Sequence, residues 1–170
     1  MPFDFQFRTL QKTKELKQLV DFLILQHLNY PKYEEWVQRA EQEILTSYKT
    51  PILAYSDYTL VGNLIYQKHK SEPRIREIKN IRVHPDVRRR DFAHFMLRQA
   101  EANDSQEYDA IICDARANQK SIINLLLFSE YVPIGKANLY DSHKEDIVFI
   151  KTFDKKTTGD LISRAKELLF

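Results

Sequence analysis

Apolar and polar residues alternate with a two-residue repeat in several stretches of the chain, the pattern of β-strands with one buried face. The predicted strands are residues 3–9, 51–56, 59–68, 75–84, 109–115, 132–140 and 146–153. The pair Ser56-Asp57 between the second and third stretch is a typical hairpin turn signal. The sequence therefore predicts seven strands.

Other stretches place apolar residues three and four apart, which predicts amphipathic helices. The first helix carries Leu16, Leu19, Val20, Phe22, Leu23 and Leu28, and the second carries Trp36, Val37, Ala40, Ile44 and Leu45. Asn29-Tyr30-Pro31 separates the two. A third helix covers about 91–104, with Phe92, Phe95, Met96 and Ala100 on one face, and a fourth follows Asn118, which we expect to cap it.

The tail ends in a short helix with Leu161, Ile162, Ala165, Leu168 and Leu169 on one stripe. The order β-α-α-β-β-β-α-β-α-β-β-α predicts an α/β fold of the α+β kind, a mixed, mostly antiparallel sheet with helices on its faces. We expect one domain over residues 1–153. Residues 154–170 would add a helix that docks on this domain or on a second copy, since its apolar stripe is too large to stay in water.

Composition narrows the function classes. The 170 residues carry a net charge of +2, which by itself does not indicate a polyanion-binding protein. Three glycines cannot form either common nucleotide-binding loop, and the five histidines form no HExxH motif, so we expect no metal. The lone Cys113 favours a reducing compartment, and the longest apolar run is far short of a membrane span. These features predict a cytoplasmic protein.

The stretch RVHPDVRRRDFAHFML, residues 82–97, joins a predicted strand to a predicted helix through three arginines. A helix N-terminus presents unpaired amides and a partial positive charge, which suit a phosphate. The alternative is a solvated, charged turn in which the Asp91 side chain caps those amides. A third interpretation is a nucleic-acid contact, although no aromatic residues interleave with Arg88, Arg89 and Arg90.

At this point the sequence resembles the GNAT superfamily of acyl-CoA-dependent N-acyltransferases. The family signature is a strand ending in Val-x-Pro, then [QR]-x-x-G-x-[GA], then an apolar helix; here residues 83–93 read VHPDVRRRDFA. A second family motif, Asn-x-x-[AS]-Ile before an apolar helix and Gly-Phe, matches NQKSI at 118–122, with Tyr131 near the Phe position. The predicted element order also matches that fold over residues 3–153.

The resemblance implies coenzyme A, most simply acetyl-CoA, as co-substrate. Its diphosphate would lie on the amides of 88–93, its pantetheine arm beside the strand before them, and the second motif would contact that arm. The implied binding residues are Ile81, Arg82, Val83, Arg88, Arg89, Arg90, Asp91, Phe92, Ala93, Asn118 and Ser121.

Several positions depart from the family pattern. Asp91 replaces the central glycine, and one like-charge pair with a diphosphate at about 5 Å costs roughly 3 kcal/mol at an effective dielectric near 20, which the arginines could offset. Asn80 stands where many bacterial relatives carry a Glu base. The frame of histone-type relatives assigns the base to Glu77, whose alternative is a surface carboxylate paired with Arg76 or Lys79.

The family's usual proton donor, a helix Tyr, falls on Leu125 or Leu126. Tyr131 is the nearby candidate, with a buried packing role as its alternative. The segment between the first two helices would wall the acceptor pocket, and its aromatic and acidic residues, Trp36 among them, would suit a cationic amine. Equally, Trp36 belongs to the core, and Glu34 and Glu35 are a favourable first turn of a helix.

Two functions from different classes follow. One is a cytosolic acyl-CoA-dependent N-acyltransferase acting on an amine, as a monomer or a homodimer. The other is a non-catalytic GNAT-like module that binds an acyl-CoA or a protein, which the residues at Asn80 and Asp91 favour. We expect neither a membrane nor a nucleic acid as partner.

Overall fold

A computed structural model describes residues 4–27, 29–154 and 158–170. Phe3, Leu28 and residues 155–157, which the sequence assigns to the first strand, the first helix and the start of the tail, lie outside them. The strands are β1 (Phe5–Thr9), β2 (Lys49–Ser56), β3 (Thr59–Lys68), β4 (Ile75–Val83), β5 (Ala110–Arg116), β6 (Val132–Asp141) and β7 (Lys144–Thr152). The helices are α1 (Thr13–Leu25), α2 (Tyr33–Leu45), α3 (Phe92–Ala102), α4 (Lys120–Phe128) and α5 (Thr158–Leu169).

The seven strands form one sheet in the order β1-β2-β3-β4-β5-β7-β6. β1 with β2, β2 with β3, β5 with β7, and β6 with β7 are antiparallel, while β4 and β5 are parallel. The parallel register runs from Ile75 opposite Ala110 to Ile78 opposite Cys113. This mixed, mostly antiparallel sheet with its five helices confirms the predicted fold class and element order.

The chain divides into two compact units, and the first comprises Met1–Gln67 and Lys79–Asn103. In it, α1 and α2 pack on one face of β2 and β3, around Leu19, Leu53 and Ile65, each fully buried. The opposite face carries α3, whose buried Phe92 contacts the rings of Phe5 and Phe7 at centroid distances of 5.2 and 5.6 Å.

The second unit comprises Lys68–Ile78 and Asp104–Phe170. Its core joins α5 to the sheet through Leu161 and Ala165, which pack with Ile112 and Ile150. Leu168, expected on the same stripe, remains 42% exposed. The stripe of α5 is therefore narrower than the sequence indicated.

The structure differs from the sequence-based boundaries mainly at helix starts and connections. A 3-10 turn at Pro85–Val87 follows β4, and another at Ser105–Glu107 precedes β5; the sequence indicated neither. The cap position of α4 is Gln119, so the prediction that Asn118 caps this helix is wrong by one residue. Among the described residues, no helix is long and apolar enough to cross a membrane.

Candidate functional site

The junction between β4 and α3 is a sharply turned segment held on the sheet at its start. The amide of His84 donates to the carbonyl of Val61 at 2.7 Å, and Pro85 then begins the 3-10 turn. The Nδ1 atom of His84 accepts a hydrogen bond from the amide of Asp86 at 3.3 Å, which gives this side chain a structural contact at the turn.

Two residues of the junction adopt the left-handed conformation, Arg89 with φ 62° and Asp91 with φ 60°. This region is strained for residues with a Cβ, and glycine adopts it freely. The backbone at Asp91 thus has the conformation that explains why the GNAT motif places a glycine here. Asp91 retains the turn at a cost of roughly 1 kcal/mol.

Asp91 occupies the N-cap position of α3 but makes no side-chain hydrogen bond to the helix. The alternative in which its carboxylate caps the first-turn amides is therefore wrong. The first intrahelical bond runs from the amide of Phe95 to the carbonyl of Asp91, at 2.9 Å. The amides of Phe92 and Ala93 precede that bond, have no acceptor within the helix and can donate to an anion.

The three arginines surround this helix start and are all exposed. Nε of Arg88 donates to the carbonyl of Val83 at 3.3 Å, and Nη1 of Arg82 donates to the carbonyl of Ile81 at 2.8 Å. Because the His84 amide bonds β3, the alternating residues Ile81 and Val83 direct their backbone groups to the other edge of β4. In this structure the guanidinium groups of Arg82 and Arg88 donate hydrogen bonds to the carbonyls of that edge.

The second motif lies in the second unit, at the turn between β5 and α4. Asn118 and Ser121 are both exposed there. The amide of Gln119 donates to the carbonyl of Arg116 at 2.9 Å and closes the turn. The contacts of Asn118 and Ser121 with a coenzyme stay predictions.

Glu77, the predicted base, is half-buried on β4, with Ile112 as its register partner on β5. The neighbouring Arg76 is 5% exposed and lies 4.1 Å from the centroid of the Tyr108 ring. Successive strand residues point to opposite faces, so Arg76 is poorly placed to pair with Glu77. This geometry disfavours the pairing with Arg76 in the alternative that treats Glu77 as a surface carboxylate.

Tyr131, the predicted proton donor, is 1% exposed. Its amide donates to the carbonyl of Leu126 at 2.9 Å, and Nζ of Lys151 lies 5.7 Å from its ring centroid. These contacts are typical of a packed aromatic residue. The catalytic role of Tyr131 stays a prediction.

The sequence reasoning did not identify a tyrosine close to Glu77, namely Tyr140 on β6. Its hydroxyl donates to Oδ1 of Asp114 at 3.0 Å. Burial around the hydroxyl, together with the Asp114 and Glu77 carboxylates, raises the pKa of Tyr140 well above its ordinary value. Twenty-six residues separate Tyr140 from Asp114, so no local pattern could have indicated the pair.

The aromatic residues at the start of α2, which the sequence predicts as a wall of the acceptor pocket, mainly contact one another and the α1–α2 core. Tyr33 is 5% exposed, its hydroxyl donates to the carbonyl of Leu23 at 2.9 Å, and its ring stacks on Trp36 with centroids 5.8 Å apart. Trp36 also packs against the α1–α2 core, while Glu34 and Glu35 are exposed in the first turn. The core interpretation of Trp36 fits these contacts better than an aromatic cage for a cation.

The structure resembles solved acetyltransferases along nearly its whole length. An N-acetyltransferase from Staphylococcus aureus Mu50 is 13% identical with a TM-score of 0.71, covering 88% of this chain and 98% of its own. The GNAT-family acetyltransferase of Streptococcus pneumoniae is 14% identical with a TM-score of 0.69, covering 89% and 100%. NAA60 of Arabidopsis thaliana, solved with a bisubstrate analogue, is 12% identical with a TM-score of 0.68, covering 88% and 98%.

Comparison by sequence gives no further assignment. No family model matches the chain, and no curated protein matches it either. At 12–14% identity the likeness to these three structures concerns the fold and leaves substrate open. By its architecture, the chain has the fold of the GNAT acetyltransferases.

Proposed function

We propose that the protein is an acyl-CoA-dependent N-acyltransferase, most simply an acetyltransferase. The observation that carries this proposal is the left-handed turn at Asp91, which presents uncapped amides at the start of α3 beside three arginines. Oriented amides with nearby guanidinium groups suit a diphosphate. That this junction follows β4 in a GNAT fold makes coenzyme A the fitting anion.

The carbonyls of Ile81 and Val83 define how a pantetheine arm would bind. Its amides would donate to these carbonyls at the edge of β4, which requires Arg82 and Arg88 to release them. A released Arg88 could then reach the diphosphate and offset the charge of Asp91. Coenzyme binding and rearrangement of Arg88 are therefore coupled in this proposal.

Glu77 is the proposed base that deprotonates the acceptor amine, directly or through water. Tyr140 is a poor proton donor for the leaving thiolate, because its raised pKa lies far above that of a thiol, about 8.5. Solvent would then protonate the thiolate. We therefore do not assign Tyr140 as the catalytic acid; its hydroxyl holds the carboxylate of Asp114 instead.

The residues that the structure describes contain no group of three or more His, Cys, Asp or Glu that could hold a metal ion. Cys113, which is buried and the single cysteine of the sequence, favours a reducing compartment and hence the cytoplasm.

Replacement of Glu77 by Gln tests the catalytic part of the proposal. Turnover of acetyl-CoA with an amine acceptor should fall by about a hundredfold or more, while acetyl-CoA affinity stays nearly unchanged, because only proton transfer is removed. The matched control is Glu145→Gln, which breaks an exposed pair with Lys136 in the same unit. Thiol release and calorimetric titration measure the two quantities.

Equal turnover of the Glu77 variant and the wild type at neutral pH would show that Glu77 is a surface carboxylate and not the base. Binding of acetyl-CoA without turnover on any amine would instead favour the non-catalytic module. Asn80, which cannot accept a proton as a base does, is the residue that favours this second function.

A further inference from the structure

Arg82 is an arginine of β4 that no carboxylate of the described residues faces. Its Nη1 donates to the carbonyl of Ile81, and the side chains of Tyr33 and Tyr30 are polar neighbours. Its Nε is buried with no hydrogen-bond acceptor among the residues that the structure describes. Burial lowers the pKa of Arg82 because water is withdrawn from a charge that no described acidic group balances.

Asn63 of β3 is the second polar group of this kind in the first unit. The side chain is fully buried, and neither Oδ1 nor Nδ2 has a hydrogen-bond partner within the described part of the chain. Asn80 of β4 is 6% exposed, and its Oδ1 likewise lacks such a partner. Buried amides are almost always hydrogen-bonded, so two of them in neighbouring strands require an explanation.

The strand register brings these side chains to one face of the sheet. The hydrogen bond from the His84 amide to the Val61 carbonyl sets these two residues opposite each other, just beyond the end of β4 and on β3. In an antiparallel pair, the residues two positions before His84 and two positions after Val61 are then also opposite, and these are Arg82 and Asn63. Asn80 lies two residues from Arg82 and therefore on the same face.

That face is the one covered by α1 and α2. Asn63 is paired across β2 with Leu53, which packs in the core of these helices, and Arg82 interacts with Tyr33 of α2. Arg82 is only partly buried, whereas Asn63 and Asn80 are buried, so Arg82 is the member of the cluster of Asn63, Asn80 and Arg82 that lies nearest to solvent.

The cluster offers a specific set of donors and acceptors. The Nε–H group of Arg82 and the Nδ2 group of Asn63 are donors that suit a carboxylate, which forms charge-assisted hydrogen bonds with a guanidinium. The oxygens of Asn63 and Asn80 are acceptors that suit an ammonium or amide N–H. A molecule carrying both a carboxylate and an amine satisfies all of them.

We propose that the cluster of Asn63, Asn80 and Arg82 binds the carboxylate of a small ligand that also carries an amine, such as an amino acid. A role of this ligand in acyl transfer rests on the proposed acyltransferase function; its binding to the cluster does not.

Direct titration tests the proposal without requiring catalysis. The probes are the common α-amino acids, β-alanine and γ-aminobutyrate, each compared with its primary amide on the full-length protein. At least one acid should bind about ten- to a hundredfold more tightly than its amide, as expected when a charge-assisted pair is lost. Arg82→Met should abolish that difference and Arg82→Lys should partly restore it. Arg39→Met, at an exposed site of α2, should leave it unchanged.

Asn63→Asp decides the matter if Arg82→Met does not fold. The new carboxylate would pair with Arg82 and exclude the ligand's own carboxylate, so binding should be lost while the protein remains folded. Undiminished binding to Asn63→Asp would overturn the proposal. So would an absence of binding by every probe, or equal binding of acids and amides, since the cluster then holds only structural water.

Acetyl-CoA titration and thiol release separate this inference from the proposed function. If acetyl-CoA binds and is consumed but no acid binds more tightly than its amide, the carboxylate site is refuted and the acyltransferase stands. If an amino acid binds through Arg82 but acetyl-CoA does not bind, the acyltransferase function is refuted and the site stands as a binding site only.

Discussion

Each unit of the molecule carries an arginine on a strand of the sheet, Arg82 in the first and Arg116 in the second, and the two differ in what faces them. Arg116 in the second unit is 5% exposed and lies across from Asp146 in the β5–β7 register. Burial raises the pKa of Asp146, and the charge of Arg116 opposes that rise. Arg82 in the first unit faces a tyrosine hydroxyl and a backbone carbonyl. A carboxylate thus lies across from Arg116, whereas no carboxylate among the described residues faces Arg82.

Replacing each of these two arginines by Met should give the largest predicted difference in the free energy of unfolding between the two sites. Arg116→Met should lower the free energy of unfolding by about 3–5 kcal/mol, because it removes the positive charge that lies across from the buried carboxylate of Asp146. Arg82→Met should change it by no more than about 1 kcal/mol, since it removes a desolvated charge that no carboxylate balances. Urea denaturation of the two variants measures both values, and equal losses would contradict the distinction.

Glu15 extends the comparison, as a buried carboxylate of the first unit that does have a partner. It is 4% exposed, and a hydrogen-bonded pair with Arg8, at 2.8 Å, lowers the pKa of Glu15 to about 2. Its folded-state pKa is depressed, so the stabilisation is present above the unfolded pKa of about 4.3 and is lost as the pH falls towards 2.

We expect this carboxylate to contribute roughly 2–3 kcal/mol at neutral pH, reduced somewhat by the partial exposure of Arg8. Glu15→Gln should therefore be less stable at pH 7 and should lose less stability than the wild type on acidification. Unfolding curves between neutral and acid pH test this. Parallel pH profiles for the two proteins would show that the pair contributes nothing specific.

Asp91→Gly gives the smallest expected change in stability, and its direction is informative. Glycine relieves the left-handed strain at φ 60°, and no side-chain cap is lost, so the variant should be more stable by about 1 kcal/mol. Asp104→Gly, at another left-handed position of an exposed connection, is the matched control and should behave alike. A lower melting temperature for Asp91→Gly would mean that its carboxylate stabilises the turn after all.

The sequence predicted the element order because apolar residues repeat with clear periods along most elements. It placed Asp91 at the start of α3 but could not give its backbone conformation, since a cap-type residue before a helix normally adopts extended angles. The resemblance to the GNAT motif, with its glycine at this position, was the only local indication of a left-handed turn.

The buried polar groups lay beyond what the sequence could show. Asn63 lies within a mostly apolar strand, where the sequence does not reveal whether its amide finds a partner. Arg82 was predicted as part of the coenzyme-binding strand, but its side chain faces α2. Such pairings depend on register and on helix placement, which are tertiary features that local periodicity does not encode.

Calorimetric titration of acetyl-CoA into the wild type, Arg88→Ala and Asp91→Gly tests the central claim most directly. The account predicts binding by the wild type, tighter binding by Asp91→Gly because a like charge is removed, and weaker binding by Arg88→Ala. The loss in Arg88→Ala should not exceed about 1.5–3 kcal/mol, because the helix amides remain. Arg39→Ala should match the wild type. If neither the wild type nor Asp91→Gly binds acetyl-CoA, the coenzyme site does not exist and the arginines form only a charged turn.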